Sequence, residues 1–176
     1  MNNYLPTDYQ AFIHTSRYAR WLEEENRREG WGETVNRYMD NIVTPLLSEE
    51  KDWKVYEDIR DAVTSLQIMP SMRAMMTAGP AAARDNTCMY NCSYLHVDHP
   101  HAFDEAMFIL LCGTGVGFSV ERQFVSKLPE VPPLFDSDTT IVVKDSKEGW
   151  AKSYRQLLAL LWAGEIPKWD VSKVRP

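Results

Sequence analysis

The feature that most restricts the fold is a change of hydrophobic period at Pro70. Before it, apolar residues recur at helical spacing. Val35, Tyr38, Met39, Ile42, Val43 and Leu46 form one stripe of an amphipathic helix. Trp53, Tyr56, Ile59, Val63 and Leu66 form a second stripe, and Met69-Pro70 is predicted to end it, because a residue before proline is pushed out of the α region. An earlier helix is predicted from Thr7 and Gln10, spaced as a capping box, with Phe12, Ile13 and the Trp21/Leu22 pair supplying apolar faces up to the charged EEENRREG. After Pro70 the helical stripe is lost. Residues 70–87 hold Pro70, Pro80, Gly79 and an alanine run, and read as a connection with a short helical turn. CSYLHVD is then a β-prone stretch. AFDEAMFILLC is a helix with Asp98 or His99 near its N-cap, and in VGFSVE the alternation of Val116, Phe118 and Val120 is that of a strand. TTIVV (139–143) is a further strand. Asp145 and Glu148 signal the start of a helix whose face is Trp150, Tyr154, Leu157, Leu158, Leu161 and Trp162, closed by Gly164 and followed by a strand in WDVSKV.

Strand, helix, strand, twice over, is an alternating β/α pattern, which wants a sheet with more strands than are present here. The reading is therefore α/β: an N-terminal helical region at 1–69, a connecting segment at 70–87, and at 88–176 the first part of a larger, incomplete α/β sheet.

Composition removes several function classes. Apolar residues at 44% and charged residues at 25% exclude wholesale disorder. A net charge of −6 with no Lys/Arg run argues against a nucleic acid polymer as partner. The longest apolar run, AMFILLC, is too short to cross a bilayer, and MNNYLPTDYQ is no export signal, so a cytoplasmic protein with no membrane partner is expected. Three cysteines without an export signal point to free thiols serving packing, metal binding or redox chemistry.

Cys88, Cys92, His96 and His99 invite a metal reading. On a strand, however, Cys92 and His96 would lie about 13 Å apart, beyond the reach of one ion. No metal is expected, and the three histidines His96, His99 and His101 are expected to decorate a turn. Gly113, Gly115 and Gly117 follow a helix and precede a strand, the reverse of a dinucleotide fingerprint. They make a helix cap and tight turn, or a bare backbone whose N–H groups at Thr114 to Gly117 a ligand can approach. Cys112 ends an apolar helix and is expected to be buried and inert. Cys88 is ambiguous. Cys92 opens a strand between Asn91 and Ser93, where a thiol can face a cavity; packing and redox roles both stay open for it.

NCSYLHVDHPHAFDEAMFILLCGTGVGFSVERQFVSKLPEV, VVKDSKEGW and DVSKVRP occur in that order, preceded by YQAFIHTSRYARW and MPSMRAMMTAG. Together they resemble the N-terminal half of the adenosylcobalamin-dependent (class II) ribonucleotide reductases over nearly the whole chain. The resemblance implies a helical region followed by a ten-stranded α/β barrel, of which this chain would hold the first strands and helices. It implies reduction of the 2′-hydroxyl of ribonucleotides, with triphosphates as the expected substrates. It also implies a thiyl radical made through adenosylcobalamin, which removes the 3′-hydrogen, and two strand-borne cysteines that reduce the sugar and close to a disulfide. Cys92, in NCSY, matches the first of these two. Asn91 and Ser93 flank it, and Gly113, Thr114 and Gly115 match the turn that meets the substrate. A thioredoxin-type or dithiol reductant is implied as well.

The thiyl cysteine, its helpers, the second reducing cysteine and the C-terminal cysteine pair of the family have no counterpart here. The expected partner is thus the C-terminal portion of the same reductase, which would carry most of the cobalamin contacts, the chain being a split-gene product, an intein-interrupted frame or a truncated piece. Only about a dozen residues, EVPPLFDSDTTI, join SKLP to VVKD, which argues against a long effector-binding insertion. Two alternatives are a large-subunit fragment of a di-iron-supported class I reductase and a non-catalytic fragment that caps another reductase chain.

Overall fold

Thr7 starts the first helix as its spacing with Gln10 requires, its hydroxyl oxygen accepting the Gln10 N–H at 3.2 Å at the head of α1 (Asp8–Ile13). The structure, a computed structural model, describes residues 5–47 and 52–176; the parts of the expected helical region at 1–4 and 48–51 lie outside the described residues. The chain divides into two compact units, Met1–Tyr90 and Asn91–Pro176.

In the first unit, α1 runs through a π turn at His14–Tyr18 into an antiparallel hairpin of β1 (Trp21–Leu22) and β2 (Arg27–Arg28). The Trp21/Leu22 pair therefore sits in a hairpin and not on a helical face. Asn26, at φ 50°, supplies the left-handed turn residue, which asparagine tolerates. α2 (Trp31–Tyr38) passes into a π turn at Met39–Val43 and a 3-10 turn at Thr44–Leu46. Val35, Met39 and Val43 are buried as the stripe demands, but Leu46 is 79% exposed, because a π turn followed by a 3-10 turn departs from the 3.6-residue period. α3 (Trp53–Thr64) stops before the expected Met69. Leu66, at φ 61°, turns the chain, with Gln67 N–H donating to the Ala62 carbonyl at 2.9 Å and Leu66 N–H to Val63 at 3.1 Å. This is a Schellman closure with leucine in place of glycine. The strain, roughly 1–2 kcal/mol, is offset by packing Leu66 on the core. The connection is more regular than expected: Ser71 caps α4 (Met72–Thr77), Pro80 opens α5 (Pro80–Arg84), and a 3-10 turn spans Asn86–Met89.

Trp31, Val35, Met39, Val43, Tyr56, Val63 and Met75 form the core with Leu5. Beside it runs a polar network. Arg37 donates from Nε and Nη2 to Glu29 at 2.7 and 2.9 Å, from Nη1 to the Met75 and Ala78 carbonyls at 2.8 and 2.9 Å, and from Nη2 to the Tyr18 carbonyl at 3.1 Å. The Thr34 hydroxyl donates to Glu29 at 3.0 Å, so it accepts from His14 Nε2 at 2.9 Å, which assigns the Nε2–H tautomer. One arginine thus binds backbone carbonyls of two segments, the end of the His14–Tyr18 turn and the last turn of α4 with its C-cap.

The second unit holds two parallel βαβ pairs. β3 (Cys92–His96), α6 (His101–Leu111) and β4 (Gly115–Ser119) form the first, with Cys92 opposite Gly115 and His96 opposite Ser119. A short α7 (Arg122–Val125) follows. β5 (Phe135–Val142), α8 (Lys147–Trp162) and β6 (Glu165–Asp170) form the second, with a register shift between Asp136 and Thr140. α6 packs on α8, where the buried Asp104 accepts from Arg155 Nε at 2.8 Å and holds that guanidinium above its usual pKa.

Several boundaries move. Pro100 occupies the N-cap of α6, with Asp98 and His99 just before it and the His99 carbonyl accepting the Ala102 N–H at 3.1 Å. Ser146 caps α8 by accepting the Gly149 N–H at 3.0 Å, while Asp145 pairs with Arg175. Of WDVSKV only Trp169 and Asp170 are in β6, because Gly164, at φ 90°, ends the α8 turn and the strand begins at once. Val97, Ala102, Ile141, Val143 and Ala151 are buried between strands and helices. Phe118, Val120, Phe135 and Trp169 are 63%, 59%, 57% and 47% exposed, so of the alternating apolar residues of VGFSVE Phe118 and Val120 are bare while Val116 is half-buried. No helix among the described residues is long and apolar enough to cross a membrane.

Candidate functional site

Cys92 is the first residue of β3 and its thiol is exposed and free. Strand alternation puts Cys92, Tyr94 and His96 on one face and Ser93 and Leu95 on the other. Opposite Cys92 stands Gly115, and opposite Tyr94 stands Gly117. A Cβ on Gly115 would first meet the Asn91 carbonyl oxygen at 3.4 Å, and one on Gly117 the Tyr94 ring and the Ser93 carbonyl oxygen at 3.7 Å. The surface beside the sulfur is therefore a lane of bare backbone. Asn91 and Ser93 fasten this lane: Gly115 N–H donates to the Asn91 carbonyl at 2.8 Å, and the Ser93 hydroxyl donates to the Gly115 carbonyl at 3.2 Å. The structure thus brings Asn91, Cys92, Ser93 and Gly115 together around one thiol. A group in this position can give a proton or bond to another sulfur with little strand movement.

Gly113 and Thr114 lie behind this surface. Gly113, at φ 85°, closes α6: its N–H donates to Leu110 at 2.9 Å and the Thr114 N–H to Ile109 at 3.3 Å. With Gly115 bonded to Asn91, the N–H groups of all three residues are engaged by the chain itself. Thr114 is 1% exposed. The turn is the helix cap that its glycines indicate, and the idea that the N–H groups of Thr114 and Gly115 serve as ligand donors is corrected accordingly. These residues set the entry of β4, and so the position of Gly115.

Cys112 departs from expectation. It is half-buried at the C-cap of α6, and Lys147 Nζ, on the first residue of α8, approaches its Sγ at 3.2 Å. Cys88 is half-buried in the Asn86–Met89 turn. Of the three histidines, His99 and His101 sit together at the turn into α6, their rings 6.2 Å apart, while His96 lies on the strand. His96, on β3, stacks on Phe124 at 4.5 Å and meets Tyr94 edge-on at 5.7 Å, while His101 starts α6 with Nδ1 3.3 Å from Asp104. Among the described residues no three His, Cys, Asp or Glu side chains are grouped to hold a metal ion. Tyr94 was missed as a neighbour of the thiol, although the period-two alternation signals it; Lys147 had no local signal.

No protein-family model matches the chain. Similarity to curated proteins is consistent in kind. The adenosylcobalamin-dependent ribonucleoside-triphosphate reductase of Lactobacillus delbrueckii subsp. bulgaricus is 25% identical over 169 residues, covering 78% of this chain and 22% of that protein. The reductase of the same description from Lactobacillus helveticus is 27% identical over 161 residues, covering 74% and 21%. That of Lactobacillus gasseri is 25% identical over 183 residues, covering 86% and 24%. The chain thus spans less than a quarter of the length of these relatives. Among solved structures, a B-12 dependent (class II) ribonucleotide reductase superposes with a TM-score of 0.76 at 21% identity, over 94% of this chain and 32% of that one. In sequence and in fold, this chain resembles part of the adenosylcobalamin-dependent class II ribonucleotide reductases.

Proposed function

We propose that the chain is the N-terminal portion of a ribonucleotide reductase acting on triphosphates, and that Cys92 is one of the two thiols that reduce the substrate. The carrying observation is the exposed Cys92 on a parallel strand, beside the bare backbone of Gly115, in a chain similar to such reductases. In this reading two thiols and a ribonucleotide become a disulfide, a 2′-deoxyribonucleotide and water. Cys92 gives a proton to the departing 2′-hydroxyl and, with the second thiol, two electrons. The thiyl radical that opens the cycle resides on a cysteine outside this chain. A dithiol or thioredoxin-type protein then reopens the disulfide. Asn91 and Ser93 hold the strand entry, and Gly113, Thr114 and Gly115 shape the lane where the sugar would lie. Three free thiols suit work in the cytoplasm.

The bare apolar strand faces support further strands of a ten-stranded barrel, supplied by the portion of the relatives beyond the match. That portion is the proposed partner. Among the described residues no buried side-chain polar atom is left without a partner, and nothing around Cys92 marks a cradle for a corrin. Adenosylcobalamin, which the relatives' name includes, is therefore assigned to the remaining portion and no step here is drawn through it. The test is to combine this chain with that portion and follow deoxynucleotide formation from ribonucleoside triphosphates. Product that depends on adenosylcobalamin is expected. Product that needs a separate radical-generating subunit, or a complex that forms no product, would replace this reading with the class I or the capping alternative.

A further inference from the structure

We propose that Cys112 and Lys147 are an oxidisable pair, in which a hydroperoxide converts the Cys112 thiol to a sulfenic acid that condenses with the Lys147 amine to a reversible sulfenamide. The inference is independent of the reductase reading. It begins with the 3.2 Å approach of Lys147 Nζ to Cys112 Sγ. The two residues are 35 apart in sequence and are brought together because the C-cap of α6 abuts the first turn of α8. Both are half-buried, so the contact is partly shielded from water yet open to a small oxidant. The Phe108 ring, 5.0 Å from Nζ, steadies the ammonium over the sulfur. The Lys147 ammonium favours negative charge on the Cys112 sulfur it meets, the setting in which cysteines react, and opposes the negative C-terminal end of α6 on which that residue sits.

The chemistry balances. The thiolate attacks the hydroperoxide, breaking the O–O bond and forming S–O; the sulfur is oxidised by two electrons and the peroxide reduced. The alkoxide or hydroxide that leaves takes one proton from the Lys147 ammonium, which turns the cation into a neutral amine. The amine then attacks the sulfenic sulfur: S–N forms, S–O and one N–H break, and water leaves, with no further change of oxidation state. Lys147 thus acts first as acid and then as nucleophile. The product ties the end of α6 to the start of α8 and immobilises the Cys112–Gly113 turn that leads into β4. Thiol reductants reopen it.

The experiment uses the full chain, treated with hydrogen peroxide, quenched and cut before aspartate. That cleavage separates Cys112, in 104–135, from Cys88 and Cys92, in 85–97, and puts Lys147 in 145–169. The expected result is a joined 104–135/145–169 species, lighter by two hydrogens than its parts and split by dithiothreitol, with fragmentation placing the link between Cys112 and Lys147. It is lost in Cys112→Ser and in Lys147→Arg, and in the latter dimedone labels Cys112. Sulfinic or sulfonic Cys112 with unmodified 145–169 would overturn the proposal, as would oxidation confined to Cys92 or Cys88, or a link to a different lysine.

Discussion

Arg37 carries the most testable energetic statement about the helical unit. Its guanidinium makes five hydrogen bonds, two to Glu29 and three to the carbonyls of Tyr18, Met75 and Ala78. The side chains of Arg37 and Glu29 are 15% and 5% exposed, so the pair is poorly screened. Replacing Arg37 with Met keeps the stem and removes every donor. Glu29 would then be a buried, uncompensated carboxylate, for which the cost is about 3–5 kcal/mol, and three carbonyls would lose their partner. Set against a typical domain stability of roughly 5–15 kcal/mol, Arg37→Met should bring the helical unit close to its limit. Adding Glu29→Gln removes the stranded charge and should return about 1–3 kcal/mol, so the double variant is more stable than Arg37→Met alone. Urea unfolding by circular dichroism gives the totals, and hydrogen exchange read by segment shows which unit has loosened. A loss below about 1 kcal/mol for Arg37→Met, or no recovery in the double variant, would refute the network as drawn.

Three further expectations follow from the same geometry. A Cβ on Gly149 would press against Lys144, 2.8 Å from its Cβ and 2.9 Å from its carbonyl carbon, so Gly149→Ala should lose about 1–3 kcal/mol despite the better helix propensity of alanine. Gly32, in α2, has nothing within 4 Å of such a Cβ, and Gly32→Ala should gain up to about 1 kcal/mol; if both variants gain, the close approach of α8 to Lys144 is wrong. Acid should weaken the helical unit. Burial holds His14 below the usual imidazole range, which the nearby Glu29 opposes and Arg37 reinforces. Arg27 with the Gly30 N–H pushes Glu33 down to about 2, and Arg37, the Arg20 N–H and Thr34 hold Glu29 below its usual range although its burial alone would raise it. All three groups bind protons more weakly folded than unfolded, so stability is present at neutral pH and is lost as pH falls, first below 6.5 for His14 and then from 4.5 toward 2 for the carboxylates. Thermal midpoints measured from pH 8 to 3 should fall in that order, with Glu33→Gln flattening the last part; a midpoint that rises on acidification to pH 5 would contradict the assignment.

Much of this fold is legible in the sequence because local periods and caps agree with the final structure. The stripe at Val35, Met39 and Val43, the Thr7 cap, the β/α alternation after Pro70 and the closing Gly113 and Gly164 all express short-range rules. The misreadings share a cause in long-range competition. Leu66 takes a left-handed conformation that leucine disfavours, because the core holds it there, and the helix ends early. Ser146 prevails over Asp145 as cap once Asp145 pairs with Arg175, 30 positions away. At the site, the exposure of Cys92 on a strand follows from its position, and alternation places Tyr94 beside it. The engagement of the Gly113–Gly115 N–H groups was hidden, since glycine spacing alone does not reveal which carbonyls the turn will meet. The Cys112–Lys147 contact depends on helix packing and has no local trace.

The reductase account meets its most direct test in a single turnover. The assembled enzyme, given ribonucleoside triphosphate and no external reductant, is quenched, alkylated and mapped for cysteine pairing. The account requires Cys92 to escape alkylation in proportion to deoxynucleotide formed, joined by a disulfide to a cysteine of the remaining portion. Deoxynucleotide formed while Cys92 is still fully alkylated would contradict it.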